Sequence, residues 1–150
     1  PPVGHRSMTS TLPHFGYATP PAAEAAASMN DAVLVIVMLE TPEAIENADA
    51  IAALDGIDSL LIGTNDLTAE MGIPGQFGHE KARAAYETTI AACRKHGKHA
   101  GMGGVTDHAL MQEYIRMGVR LVLGGSDLSF LIASAKARTE FLKSISLDGG

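Results

Sequence analysis

The sequence predicts an α/β protein built from four parallel βα units. Three observations carry that reading. Short aliphatic runs alternate with helix-length segments, the pattern that joins parallel strands by crossovers. The first run, Val33 to Leu39, is continuously apolar rather than alternating, as in a strand covered on both faces. Each run also ends on acids or glycines, at "LETPE", "GTND", "GMGG" and "GGSD". Two architectures fit, half of a (β/α) barrel or a small open doubly wound sheet, and both bind ligands beyond the carboxyl ends of their strands.

Residues 1–30 read as an irregular leader and a short helix, and residues 31–150 as the βα part. Pro1, Pro2, Gly4, Pro13 and Gly16 punctuate the leader, and "PAAEAAASM" predicts a helix over Pro21 to Met29. After the run ending at Leu39, Thr41 caps a helix with Pro42 in its first turn, running to about Leu54. "DGID" turns the chain into the strand Ser59 to Ile62, and "GTNDLTAEMGIPGQFGHE" reads as a long glycine-rich loop. A helix over Glu80 to His96 puts Ala82, Ala85, Tyr86, Thr89 and Cys93 on one face and stops at Gly97. "KHAGMGG" is the third strand, followed by a helix capped by Thr106 or Asp107 and ended by Gly118. "RLVLGGSD" is the fourth strand, a helix runs from Leu128 to Lys143, and "SISLDGG" is expected to fray.

A chain of 150 residues with 46% hydrophobic and 19% charged residues has the composition of one globular domain. A net charge of −6 and no basic block argue against nucleic acid as a partner. No apolar stretch reaches the ~20 residues of a membrane span, and "PPVGHRSM" has no apolar signal region. The lone Cys93 cannot form an internal disulfide, which fits the cytoplasm. The chain starts at Pro1 rather than methionine, so it is expected to begin partway through a longer protein.

The chemistry gathers at the strand ends. Glu40 closes the first run, and Asp66 follows the second within one βα unit. Neighbouring strands are ~4.8 Å apart, so the two carboxylates can reach one ion. Two acids so close repel unless a proton or a cation lies between them, and a hard divalent cation such as magnesium takes one or two carboxylates plus substrate oxygens. The competing reading makes Asp66 a turn cap and pairs Glu40 with a lysine. Ser126 and Asp127 lead into a helix and read as capping residues. "GMGG" lacks the dinucleotide fingerprint and no phosphate loop occurs, which excludes the nucleotide motifs. His96 and His99 fall on the rim opposite the acids, His79 near a helix start, His108 near another, and His5 and His14 in the leader. None of these forms a ligand pair at helical spacing. Cys93, Met71 and Met102 read as packing.

The stretch "VLVIVMLETPEAIENADAIAALDGIDSLLIGTNDLTAEMGIPGQFGH" resembles the metal-dependent (class II) 2-oxo-acid aldolases that cleave 4-hydroxy-2-oxoheptanedioate and 2-dehydro-3-deoxyglucarate. "PPVGHRSM", "GKHAGMGG" and "GVRLVLGGSDLSFL" agree in order and spacing. The resemblance implies a (β/α)8 barrel, of which this chain would be the C-terminal half and a fragment, since such barrels run to ~250 residues. It implies that Glu40 and Asp66 hold a divalent ion, magnesium, manganese or cobalt. The amides of Asn65 and Asp66 would then hold the carboxylate of a 2-oxo acid, with Gly103 beside the substrate. Thr64 replaces the proline of the family's "GP-DL", which is expected to loosen the loop slightly.

The implied reaction is reversible cleavage of a 4-hydroxy-2-oxo acid to pyruvate and an aldehyde. The family's general-base histidine and its arginine fall outside this chain, so the chain alone is expected to be inactive. No lysine for a Schiff base sits at a strand's carboxyl end. Alternatives are a citrate-lyase-like or malyl-CoA-type lyase, or a non-catalytic half-barrel that self-associates. Open strand edges predict a homo-oligomer in any of these cases.

Overall fold

A computed structural model describes residues 11–146 together with His5, Ser7 and Thr9. The chain divides into two units, Pro1–Val35 and Ile36–Gly150. In the first, a 3₁₀ turn at Pro13–Phe15 is closed by the left-handed Gly16, and helix α1 covers Ala22–Ala32. That helix ends three residues later than expected, and Val33 still donates its N–H to the Met29 carbonyl. The calls on Pro1, Pro2 and Gly4, and most of the fraying tail, lie outside the described residues.

The second unit runs β1 (Ile36–Leu39), α2 (Pro42–Glu46), α3 (Ala48–Ala52), β2 (Ser59–Gly63), α4 (Thr64–Glu70), α5 (Glu80–Lys95), β3 (His99–Gly103), α6 (His108–Met117), β4 (Leu121–Val122) and α7 (Asp127–Lys143). All three strand pairings are parallel and the order is β1-β2-β3-β4. A doubly wound sheet would reverse its order at a switch point; this sheet does not.

Alternate strand residues divide the sheet into two unlike faces. Leu39, Leu60, Ile62, Ala100 and Met102 join Ile45, Leu67, Tyr86, Ile90 and Tyr114 in one core, so α2 to α6 pack on this face. The other face carries Ile36 and Met38, which are 41% and 50% exposed. The expectation that the first run is covered on both faces therefore fails. It is an edge strand whose Ile36 and Met38 side stays open while the helices of this unit pack on the other, and Val33 to Val35 precede it as exposed, non-strand residues.

Local chemistry explains most element boundaries. The Thr41 hydroxyl accepts the Ala44 N–H at 3.1 Å, and Pro42 opens α2 as predicted. The single helix expected from there to Leu54 breaks at Asn47, whose side-chain amide donates to the Glu43 carbonyl at 2.8 Å. Asp107 caps α6 through the Leu110 N–H, and Gly118 ends it. His79 caps α5, its Nδ1 accepting the Lys81 N–H. The face of α5 expected to be buried is buried, including Cys93. In α7 no residue is buried, and Leu128, Phe130 and Leu131 are at least 60% exposed. Strand β4, only two residues long and paired on one side, offers that helix little sheet to pack against.

Candidate active site

The ladder brings four positions into one row at the carboxyl ends of the strands. Leu39 pairs with Ile62 and Gly63 with Gly103. One step beyond Leu39, Glu40 stands level with Gly63; one step beyond the Met102–Val122 pair, Leu123 stands level with Gly103. Glu40 and Leu123 share the sheet face of Met38 and Leu61, opposite the core. The middle of the row has no side chains, so Glu40 folds across it: a Cβ at Gly63 would lie 2.7 Å from both Cγ and Oε1 of Glu40.

The expected loop after β2 is partly helical. Thr64 to Glu70 form α4, with Gly63 as its cap residue and no side-chain cap. Asn65 and Asp66 therefore lie in a first helical turn, where backbone N–H groups lack intrahelical partners. Asp66 caps nothing, and Glu40 pairs with no lysine among the described residues. Glu40, Asn65, Asp66 and Gly103 line one hollow of about 160 Å³ together with Gly63 and Leu123. Gly104, at φ 86°, closes its edge, and a Cβ there would lie 2.5 Å from Asn65 Nδ2. A larger groove of about 480 Å³ on the outer helices has only Glu46 and Lys81 as charged lining. It presents no pair of like charges, so the small hollow is the better candidate.

Thr64 does the opposite of loosening the turn. Its side chain is fully buried, and its hydroxyl donates to the Gly103 carbonyl at 2.7 Å. The same oxygen lies 2.7 Å from the Tyr86 hydroxyl, which has Thr64 as its partner. Thr68 returns its hydroxyl to the Thr64 carbonyl at 2.9 Å, closing the turn from below. Tyr86 stacks on Tyr114 at 3.9 Å between ring centroids. Burial pushes the Tyr86 phenol well above its usual range, against the Thr64 hydrogen bond, which lowers it. Sequence reading placed Tyr86 on a buried face but missed this link; the signal available was a hydroxyl-bearing residue directly after a strand-ending glycine.

The remaining candidates fall where simpler roles suffice. His96 Nε2 lies 3.0 Å from Asp49 Oδ1, away from the hollow. His99 begins β3 at the opposite end from Gly103. Ser126 and Ser129 form a reciprocal capping box, and Asp127 Oδ1 accepts the Leu128 N–H at 2.7 Å. Met102 is in the core.

The two acids thus lie at the carboxyl ends of sequentially ordered parallel strands, the end at which α/β barrels carry their ligand sites. Residues 2–134 match the sequence profile of the HpcH/HpaI aldolase/citrate lyase family, and the chain belongs to that family. It is 38% identical to the 4-hydroxy-4-methyl-2-oxoglutarate aldolase of Hapsidospora irregularis, over 99% of this chain and 56% of that protein. It is 39% identical to the 4-hydroxy-2-oxo-heptane-1,7-dioate aldolase of Salmonella paratyphi B, over 72% of this chain and 41% of that protein. The crystal structure of an HpcH/HpaI aldolase from Desulfitobacterium hafniense superposes with a TM-score of 0.82 at 25% identity, over 100% of this chain and 57% of that one. The chain thus spans about half the length of the curated relatives it matches.

Proposed function

We propose that this chain forms part of a class II aldolase that reversibly cleaves a 4-hydroxy-2-oxo acid to pyruvate and an aldehyde. Its four βα units would be the C-terminal half of a (β/α)8 barrel. One observation supports this above the others: Glu40 and Asp66 line one glycine-floored hollow at the strand ends, with no hydrogen-bonded or ionic partner for either carboxylate among the described residues.

The donor set fits a divalent metal ion. Unpaired like charges beside one small space favour a cation between them. Two carboxylates with open positions suit magnesium or manganese better than a zinc site of nitrogen and sulfur donors. No cluster of three or more His, Cys, Asp or Glu occurs among the described residues, so water and substrate oxygens would complete the shell. Glu40 and Asp66 would hold the ion, and bound there it would supply Lewis-acid stabilisation of the enolate that aldol cleavage generates.

The remaining residues bind and orient. The N–H groups of Asn65 and Asp66 receive the carboxylate of the oxo acid. Gly63 and Gly103 leave the backbone bare, so a flat keto acid can lie against it. Thr64 fixes Gly103 relative to the first turn of α4. The lining of the hollow has no histidine, lysine or arginine. Proton removal from the 4-hydroxyl group is therefore assigned to a group outside that lining.

The test combines metal binding with turnover. Titration of the chain with Mn²⁺ should show one site that is lost in Glu40→Gln and in Asp66→Asn. In the complete protein, pyruvate release from 4-hydroxy-2-oxo acids should require the ion and exceed the cleavage of malyl-CoA-type thioesters to acetyl-CoA and glyoxylate. Undiminished metal-dependent cleavage in both variants would overturn the assignment.

A further inference from the structure

At the end of the strands opposite the candidate active site, three cationic side chains and one histidine line one recess. Arg94 comes from the end of α5, Lys98 and His99 from the start of β3, and Arg120 from the residue before β4. The recess measures about 250 Å³, and no carboxylate lines it. In a chain of net charge −6, this grouping is unexpected. Elsewhere on the same unit, Arg83, Lys95 and His96 each have an acid partner, while Lys81, Arg116, Lys136, Arg138 and Lys143 stand unpaired among the described residues without lining this recess, so it is the grouping that sets these side chains apart. Arg94, Lys98, His99 and Arg120 have no acid partner among the described residues.

Two of the four are held in place. Arg94 Nη2 donates to the Met117 carbonyl at 2.6 Å. Arg120 Nη1 donates to the Val119 and Ile115 carbonyls at 2.8 and 3.0 Å, and its backbone N–H donates to Ala100 at 2.9 Å. Gly118, at φ 139°, makes the Arg94 seat possible, since a Cβ there would overlap the guanidinium and lie 2.9 Å from Ile90 Cγ2. A guanidinium has five N–H donors, so most of each fork remains available to a ligand. Ordering of long cationic side chains before binding removes part of the entropic cost of capturing an anion.

We propose that this recess binds a small phosphate-bearing anion, inorganic phosphate or the phosphomonoester of a small metabolite. A carboxylate is planar and satisfies one guanidinium fork. Donors arriving from three separate elements suit a tetrahedral dianion, which accepts along several directions and balances more than one positive charge. Ile90 and Cys93 add apolar wall for the organic part of an ester. The site is independent of the proposed aldolase chemistry, because none of its lining residues belongs to the hollow of Glu40 and Asp66.

The experiment is calorimetric titration of the metal-free chain, in chelator and at constant ionic strength, with inorganic phosphate, glycerol 3-phosphate, malonate and chloride. Phosphate should bind saturably at one site per chain. Lys98→Gln and Arg120→Gln should each weaken binding at least roughly tenfold, with an unchanged thermal unfolding midpoint in Lys98→Gln, whose side chain makes no such carbonyl bond. Glu40→Gln should bind phosphate as the parent does. Tighter binding of glycerol 3-phosphate would identify the ester as the better ligand, and equal binding would identify the phosphate group alone; either supports the site. Heats indistinguishable from chloride, malonate binding as tight as phosphate, or full affinity in both cation variants would overturn the proposal.

Discussion

The Thr64 hydroxyl stands 2.7 Å from the Tyr86 hydroxyl and 2.7 Å from the Gly103 carbonyl, in full burial. One side chain thereby joins the start of α4, the middle of α5 and the end of β3. Replacing Thr64 by valine keeps the shape and removes the hydroxyl, which leaves two buried polar groups short of a partner. The variant should lose about 1–3 kcal/mol of unfolding free energy, measured by denaturant titration, while Thr64→Ser keeps most of it. A valine variant as stable as the parent would show that the bonds contribute nothing net.

Gly63→Ala tests the placement of Glu40. The added methyl would collide with Cγ and Oε1 of Glu40 at 2.7 Å, at a backbone φ of −81° that alanine tolerates. The half-buried Glu40 side chain, not the strand, should yield. Mn²⁺ affinity is expected to fall at least roughly tenfold, with unfolding free energy within about 1 kcal/mol of the parent. Retained affinity would mean that Glu40 is not needed where it lies.

The Asp49 carboxylate is held below its usual range by hydrogen bonds from Lys95 and then His96. A folded-state pKa below the unfolded value means the unfolded chain binds more protons in that interval, so stability rises with pH there. The contribution is present above about pH 4 and disappears as pH falls through the lowered folded value. It should be small, since the Asp49 side chain is 56% exposed. Unfolding midpoints of the parent and Asp49→Asn should converge below pH 4 and separate above it.

Tyr86 and Tyr114 behave in the opposite sense. Burial raises both phenols. Their contribution is therefore complete below the unfolded value near pH 10 and declines as pH rises beyond it. Ultraviolet titration should show both phenols ionising only with the loss of near-ultraviolet circular dichroism. Tyr86→Phe should move that alkaline transition to higher pH; an unchanged transition would exclude Tyr86 as its source.

The four alternating βα units and the strand-end positions of Glu40 and Asp66 were readable in sequence because both depend on local patterns: aliphatic runs, their spacing, and what ends them; the strand order was not, since two architectures fitted the same runs. Capping by Thr41 and Asp107 and the buried face of α5 were readable for the same reason. Three features were not. The helix of α4 was masked by the glycines that follow it, the break at Asn47 depends on one side-chain hydrogen bond, and the bare face of β1 depends on which neighbours pack there. Thr64 was misjudged because its partners, 22 and 39 residues away, meet it only in the folded chain.

Helix α7 sets a practical boundary on how this chain is handled. Phe130, Leu131, Ile132, Phe141 and Leu142 stand open to water along it, and no residue of the helix is buried. Phe130 lies over the neighbouring Gly125, its ring 2.6 Å from where a Cβ there would sit. Every other helix of the second unit buries at least one residue, so α7 is the least anchored of them. Crowding in a tube will reach that oily flank before it reaches the sheet, and polar replacements along it offer the most direct route to clear, concentrated samples.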